Sequence, residues 1–203
     1  MSARGVCYVV YGETARREAE LSMQSLRLWH DLPVSVIGEP AMGADCVALP
    51  QADAGGRWAK VSLDQASPYT DTLYLDADTR PHGDLSAGFA MLADGWDLVI
   101  CPSMNQGEDL LWHVGADERA ATLRELAFEP LQLQAGVFFF RKNERTAALY
   151  RAWRAEWLRF RDQDQAALLR ALTYAPVRAW LVGHPWNGGA LVDHRFGACR
   201  RKG

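Results

Sequence analysis

The stretch Thr72-Leu73-Tyr74-Leu75-Asp76-Ala77-Asp78-Thr79 constrains this chain more than any other. Apolar residues at successive positions of a strand mean that both of its faces are covered, which is the pattern of a mostly parallel sheet held between layers of helices. This strand then ends in two carboxylates one residue apart. An unpaired buried carboxylate is costly, and side chains at i and i+2 of an extended backbone point the same way. The two charges therefore call for a cation beside them, and paired hard oxygen ligands suit a divalent ion of the Mg²⁺ or Mn²⁺ type. The competing reading of the same residues is a solvated turn in which Asp78 and Thr79 bond to neighbouring backbone.

The rest of the chain favours the first reading. A continuous apolar run at 6–11 and shorter, largely apolar runs at 33–37, 46–49, 72–75, 97–101, 137–140 and 177–181 read as strands. Between them lie helical patterns: one after Gly12 carrying Ala15, Ala19, Met23, Leu26 and Trp29 on one face, then 58–65, 85–92, 118–126, a long helix from about Glu144, and 162–172. Tyr150, Trp153, Trp157 and Phe160 recur at three- and four-residue spacing on the long helix, which marks a packing face. Alternation of this kind predicts an α/β fold, a Rossmann-like, mostly parallel sheet flanked by helices, built as one domain over 1–203. In such sheets ligands bind beyond the carboxyl ends of the strands, so Tyr11-Gly12 and Asp76/Asp78 are expected on one rim. No Gly-x-Gly-x-x-Gly follows the first strand and no Gly-Lys-Ser/Thr occurs, which removes the usual dinucleotide and P-loop readings. Residues 105–109 and 51–56 are the expected mobile loops.

Composition excludes other classes. A net charge of −3 over 203 residues gives no electrostatic basis for general nucleic-acid binding. Cys7, Cys46, Cys101 and Cys199 are scattered without a Cys-x-x-Cys pair, so zinc is not expected, and Cys7 and Cys101 read as reduced buried thiols. No apolar run reaches the roughly 20 residues needed to span a bilayer, and Met1-Ser2-Ala3-Arg4 leads directly into a strand; the expected location is cytoplasmic.

With these pieces in place the chain resembles the nucleotide-diphospho-sugar transferases of the glycosyltransferase A fold. Arg57-Trp58-Ala59-Lys60 and Ser67-Pro68-Tyr69-Thr70-Asp71 before the Asp-x-Asp strand are similar to that family's Lys-bearing helix and Ser-Pro-Phe/Tyr-Asp turn. Gln134-Ala135-Gly136-Val137 resembles the Asn/Gln-x-Gly strand of the sugar site, and Asp164-Gln165-Ala166-Ala167-Leu168 the Asp-Gln-x-x-Leu helix start. Pro185-Trp186-Asn187 and His194-Arg195-Phe196-Gly197 resemble the late Trp-Asn and His-x-x-Gly elements of the retaining, glycogenin-like branch. The motifs run in family order from Val6 to Gly197.

The resemblance implies a metal-dependent glycosyltransferase that takes a nucleotide diphosphate sugar as donor. It makes Asp78 the main metal carboxylate, Asp76 a ligand of the metal or the ribose, and His194 the third ligand, an imidazole that favours Mn²⁺ over Mg²⁺. Arg57 and Lys60 become diphosphate contacts, Tyr11, Gly12 and Ala77 border the nucleotide, and Gln134, Gly136, Trp186, Asn187 and Gly197 line the site. Asp164 and Gln165 act at the sugar, with Asp162 an alternative in the same run. Each has a plainer counterpart: solvated helix charges for Arg57 and Lys60, core packing for Tyr11, a helix N-cap for Asp164, and a tail histidine for His194. The chain departs from the family in its short C-terminal end, in Gln134 where Asn or Asp is expected, and in Arg200-Arg201-Lys202, which stands where relatives often carry Lys-Pro-Trp. The 184–203 segment is expected to be mobile until ligand binds. The alternative functions are a non-catalytic nucleotide-sugar-binding protein on the same fold and a haloacid-dehalogenase-type phosphatase; the latter needs its Asp-x-Asp on the first strand, whereas here three strands precede it. The acceptor, the donor's sugar and base, the stereochemical outcome and the oligomeric state are not written in the sequence.

Overall fold

The computed structural model describes residues 3–47 and 55–197. Among these residues the main sheet contains β1 (Arg4–Val10), β2 (Val34–Gly38), β3 (Asp45–Val47), β4 (Asp71–Leu75), β6 (Leu98–Pro102), β7 (Leu133–Arg141) and β8 (Ala179–Leu181). Their order is β3-β2-β1-β4-β7-β6-β8. A separate two-stranded sheet pairs β5 (Thr79–Pro81) with β9 (Val192–His194). The helices are α1 (Glu13–Leu26), α2 (Gly55–Lys60), α3 (Leu63–Ala66), α4 (Ser86–Ala93), α5 (Ala116–Glu125), α6 (Glu144–Phe160) and α7 (Asp164–Tyr174). Of the sequence features named above, Leu49 in the third strand, residues 51–54 of the second loop, Cys199 and Arg200-Arg201-Lys202 lie outside the described residues.

Helices cover both faces of the sheet, as continuous apolar strands require. One core packs Tyr74, Phe138, Phe140, Tyr150, Trp153 and Trp157 between the sheet and α2, α3, α6 and α7. The other packs Val6, Tyr8, Leu73, Leu75, Phe89 and Phe139 against α1 and α4. Trp153 and Trp157 are thus core residues, and Asn143 starts their helix with a reciprocal capping box to Thr146. Ala19, Met23 and Leu26 are buried on α1, but Trp29 falls past the end of that helix and is half exposed. The expected helix 58–65 is two short helices, α2 and α3, broken at Val61-Ser62. The expected helix at 162–172 starts at Asp164.

Two features of the topology position the site. The strand order reverses direction between β1 and β4, and α/β sheets open a ligand crevice at such a switch point. Strand β7 runs antiparallel to β4 and β6 while the other neighbours in the main sheet pair parallel. Being reversed, β7 brings its amino end, Gln134-Ala135-Gly136, to the rim where β1, β4 and β6 deliver their carboxyl ends. The backbone N–H of Asp76 donates to Gly136 O at 2.7 Å, and the β6–β7 register slips between Ile100 and Cys101 beside this point.

Candidate active site

The Asp-x-Asp residues do not continue the strand, as the i, i+2 argument assumed. β4 ends at Leu75, and Asp76-Ala77-Asp78 forms a tight turn closed by Thr79, whose backbone N–H and hydroxyl donate to Asp76 O at 3.1 and 2.8 Å. Behind the turn, the Tyr8 and Ser22 hydroxyls lie 3.0 Å apart, and Ser22 is 3.1 Å from the Thr79 hydroxyl, a buried chain that fixes the turn from the core side. The turn brings the two carboxylates together where extended backbone was expected to.

Pairing of β5 with β9 supplies the third group. Thr79 lies opposite His194, and Arg195 N–H donates to Asp78 O at 2.9 Å. Ligand atoms of Asp76, Asp78 and His194 all fall within 4.8 Å of one another. His194 Nε2 is 3.3 Å from Asp78 Oδ1 and 3.8 Å from Asp76 Oδ2. On the other side of the ring, Nδ1 sits 2.7 Å from Asn187 Oδ1. The Asn187 oxygen can only accept, so Nδ1 donates its N–H to it and Nε2 is the ring nitrogen directed at the two carboxylates. Asn187 is itself held by donation from Nδ2 to Gln134 O at 3.4 Å. Gly136 is required here by close approach: a Cβ on it would lie 2.3 Å from His194 Cε1 and 3.0 Å from Asp76 Oδ2. The imidazole stacks on Phe196 with centroids 4.0 Å apart. Two carboxylates and an imidazole lone pair form a hard and borderline donor set that fits a divalent ion of the Mn²⁺ kind.

Lys60, only 7% exposed, links this group to the helix that follows the long one. Its ammonium is 3.1 Å from Asp76 Oδ1 and 3.0 Å from Asp164 Oδ2, the second contact being an ion pair by distance rather than an aligned hydrogen bond. Burial pushes the Lys60 ammonium toward losing its proton, but Asp164 and Asp76 outweigh burial and hold its pKa above the ordinary value. Burial likewise pushes the Asp164 carboxyl up, and Lys60 and Arg57 bring it below the usual carboxylate value. Tyr74 donates to Asp76 Oδ1 at 2.6 Å, and burial, with Asp76 beside it, raises its phenol well above the ordinary value. The Asp164 carbonyl accepts from Trp153 Nε1 at 2.7 Å, which ties this corner of the site to the aromatic core. Asp164 is therefore a buried ion-pair partner at the first residue of α7, and Gln163 occupies the cap position. Asp162 points elsewhere, accepting from Gly115 N–H at 2.8 Å.

These groups form one wall and the floor of a cleft of about 700 Å³. Of the residues singled out in the sequence, Tyr11, Arg57, Lys60, Asp76, Ala77, Asp78, Gln134, Gly136, Asp164, Gln165, Asn187, His194 and Gly197 line it together. Arg57 reaches along the wall to Gln163 Oε1 at 3.0 Å and comes within 3.9 Å of Asp164 Oδ1, and Gln165 Nε2 donates to Gln134 Oε1. Two of the singled-out residues stand apart. Gly12 makes the turn into α1 at a φ of 86°, a conformation that favours glycine, and is exposed outside the cleft. Trp186 packs edge-on against Phe139, centroids 5.9 Å apart, on the core side of its turn. The cleft also contains residues that the motifs did not single out: Tyr74, Gln163, Phe196, and on its far lip Ser103, Met104, Asn105, Trp112 and His113.

No protein-family model and no curated protein sequence matches this chain, so its likeness to known proteins is one of structure. Over 92% of its length it superposes on the glycosyltransferase GlyE of Streptococcus pneumoniae TIGR4 with a TM-score of 0.61 and 16% identity. It spans about half of that protein, 47% of the GlyE chain. Mouse xyloside xylosyltransferase 1 superposes over 90% of this chain and 86% of its own, with a TM-score of 0.58 and 13% identity. An active-site mutant of LgtC does so over 89% and 73%, with a TM-score of 0.62 and 13% identity. A galactosyltransferase LgtC complex with donor and acceptor sugar analogues gives 0.60. The chain thus has the glycosyltransferase A fold, a mixed α/β architecture around a mostly parallel sheet. Among the described residues no helix is long and apolar enough to cross a membrane.

Proposed function

We propose that this protein is a metal-dependent glycosyltransferase of the glycogenin-like branch, moving a sugar from a nucleotide diphosphate sugar to an acceptor. One observation carries the reading: ligand atoms of Asp76, Asp78 and His194 lie within 4.8 Å of one another in a cleft at the switch point of the sheet, with the second ring nitrogen of His194 held by Asn187. Two carboxylates and an imidazole nitrogen converging on one point of a cleft are arranged for a cation. Asp76, Asp78 and His194 would hold a divalent ion, Mn²⁺ in preference to Mg²⁺. When bound, that ion neutralises the charge that develops on a departing nucleoside diphosphate.

The chain's own residues divide the remaining work. Tyr11, at the β1 end of the cleft with Ala77 and Gly197 also on its lining, borders the nucleotide. Arg57 faces the diphosphate from the wall, where a planar guanidinium can bond two oxygens at once. Lys60 holds Asp76 and Asp164 in register and, being enclosed, acts through them more than on the phosphates. Asn187 fixes the tautomer of His194, and Gly136 leaves room for it. Asp164, kept ionised by Lys60, and Gln165 with Gln134 address the transferred sugar. In the transfer the bond from the anomeric carbon to the diphosphate oxygen breaks with its electron pair left on the diphosphate, and an acceptor hydroxyl oxygen bonds that carbon while its proton passes to the released nucleoside diphosphate. The segment from His184 onward, which carries Asn187 and His194, belongs to the same reading: deletion after Gly183 is expected to weaken nucleotide binding while the sheet stays folded.

The test is a thermal-shift panel of nucleoside diphosphates and nucleotide sugars, with Mn²⁺ and with chelator, on the wild type and on Asp78→Asn. One nucleotide should stabilise the wild type only with the metal present, and the variant little or not at all. Equal stabilisation of Asp78→Asn in chelator sinks the metal-dependent reading. Release of free sugar or transfer from the stabilising nucleotide sugar then separates an enzyme from a binding protein on the same fold.

A further inference from the structure

The cleft has two unlike halves. Along the rim the order β1, β4, β7, β6 places Tyr11 at one end, Asp76 and Asp78 next, Gln134 and Gly136 beyond them, and Ser103 and Met104 at the far end. A nucleotide bordered by Tyr11 with its diphosphate at the carboxylates occupies the β1–β4 half. The β6–β7 half remains, and its lip carries two large apolar side chains among Ser103, Asn105 and His113. Met104 is 65% exposed and Trp112 64% exposed, yet both line the cleft. Large apolar side chains left open to water on a concave wall mark a ligand surface.

The lip is also held rigidly. Gln106 Nε2 donates to Ser103 O and Gln132 O, each at 2.8 Å, and Gln132 N–H donates back to Gln106 Oε1 at 3.0 Å. Fully buried Gln132 accepts from Leu111 N–H at 2.8 Å and passes its own amide to Gln165 Oε1 at 3.4 Å. Leu111, buried with a positive φ of 57°, sits directly before Trp112, so its backbone is pinned in a conformation that leucine rarely adopts. A chain of buried amides thus runs from the indole-bearing loop to Gln165 at the start of α7. Wall and floor are set relative to one another before anything binds.

We propose that Met104 and Trp112 form the acceptor platform and that the acceptor is a carbohydrate; this rests on the glycosyltransferase reading above. One apolar face of a sugar ring lies on the Trp112 indole, its hydroxyls turned toward the amides of Asn105 and Gln134. A flat aromatic surface with planar amides beside it matches a pyranose, which has an apolar face and a polar edge.

The experiment is a glycan array of bacterial and mammalian oligosaccharides, probed with wild type, Trp112→Ala and Trp112→Phe in Mn²⁺ and the nucleoside diphosphate that stabilises the wild type best. The wild type should bind a restricted set of glycans, Trp112→Ala should lose at least tenfold in apparent affinity, and Trp112→Phe should keep most of it. The nucleoside-diphosphate thermal shift should be the same in all three proteins. An array on which the wild type binds nothing overturns the carbohydrate acceptor, and equal binding by Trp112→Ala overturns the platform. If Trp112→Ala loses its nucleotide response, the indole belongs to the donor half and the proposal also falls. If no nucleoside diphosphate shifts the wild type, the donor reading fails by itself, and the array, run without nucleotide, still decides whether the lip binds sugar.

Discussion

Two buried charge clusters meet helix α7 and are built on opposite principles. Around Arg170, 2% exposed, the acceptors are all met. Glu156 Oε2 takes Arg170 Nε at 2.7 Å and Arg159 Nη1 at 2.6 Å, and Glu156 Oε1 takes the Tyr174 hydroxyl at 2.7 Å. Glu118 Oε1 takes Arg170 Nη2 at 2.9 Å, and its Oε2 takes Gln163 N–H at 3.3 Å. Around Asp164 the balance is different. Asp76 and Asp164 share one buried ammonium, Lys60, with Arg57 at 3.9 Å from Asp164, and Asp78 and His194 Nε2 lie beside Asp76 on the cleft. A closed cluster has nothing left to offer a ligand; an open one facing a cleft does. The contrast is one of charge balance: two glutamates meet two arginines around Arg170, whereas three aspartates meet one lysine and one arginine around Asp164.

The largest effect is expected at Arg170. Arg170→Met strands Glu118 and Glu156 in the core, and loss of one partner of a buried ion pair costs about 3–5 kcal/mol. Urea unfolding should show that loss, while the protein that remains folded keeps its metal-dependent nucleotide response. A change below about 1 kcal/mol would mean that the cluster does not lock α5, α6 and α7 together.

Asp78→Asn is the matching test of the open cluster. The metal-dependent stabilisation by nucleotide, about 2.7 kcal/mol at a ligand concentration 100-fold above Kd, should disappear. Stability without ligand should move by less than about 1 kcal/mol, because removing a charge from an acidic cluster relieves repulsion. If the free variant is instead destabilised as much as Arg170→Met, the two clusters are alike and the contrast is lost.

Gly136→Ala sharpens the boundary between site and scaffold. Its methyl would stand 2.3 Å from His194 Cε1, so the imidazole must move. Overpacking of this kind costs about 1–3 kcal/mol. Mn²⁺ binding followed by calorimetry should weaken even after allowance for lost stability, and unchanged Mn²⁺ affinity would remove His194 from the ligand set.

The smallest effect is acid stability. Burial pushes the Asp97 carboxyl up, but Arg145, the backbone of Arg178 and Asn143 outweigh it and hold the carboxyl below its ordinary value. Glu156 is lowered in the same way, burial being outweighed by Arg170, Tyr174 and Arg159. For a group lowered in the folded state the stabilisation is complete above the unfolded carboxylate value and is lost as pH falls through the folded one. Circular dichroism during acid titration should therefore show unfolding below about pH 4, and Arg145→Met should move the midpoint to higher pH. A midpoint that does not move removes Arg145 as the cause.

Much of the site was legible because its residues sit at fixed places relative to strand ends. Tyr11 after the first strand, the Asp pair after the fourth, Gln134 and Gly136 at the head of an apolar strand, and Asp164-Gln165 at a helix start all line the cleft. The periodic aromatics of the long helix read correctly as core. Trp186 read as a site residue because a tryptophan beside Asn187 looks the same whichever way its turn faces; in the structure it packs on Phe139. The lip was missed for a related reason: Met104 and Trp112 lie in an irregular segment without period, and only the Gln106 and Gln132 amides define where it goes.

The alternation of strands and helices, the double-sided burial of the sheet and the acidic pair at the end of β4 follow from local sequence, since each depends on residues close together in the chain. Tertiary structure alone decided that β7 runs backwards, which brings Gly136 to the carboxylates. It also decided that β5 pairs with β9, which carries His194 to Asp78, and that Lys60 closes onto Asp164. Those three outcomes join segments far apart in sequence by backbone pairing and ion-pair geometry. No local pattern encodes such contacts, because their free energy exists only once the core has brought the partners together.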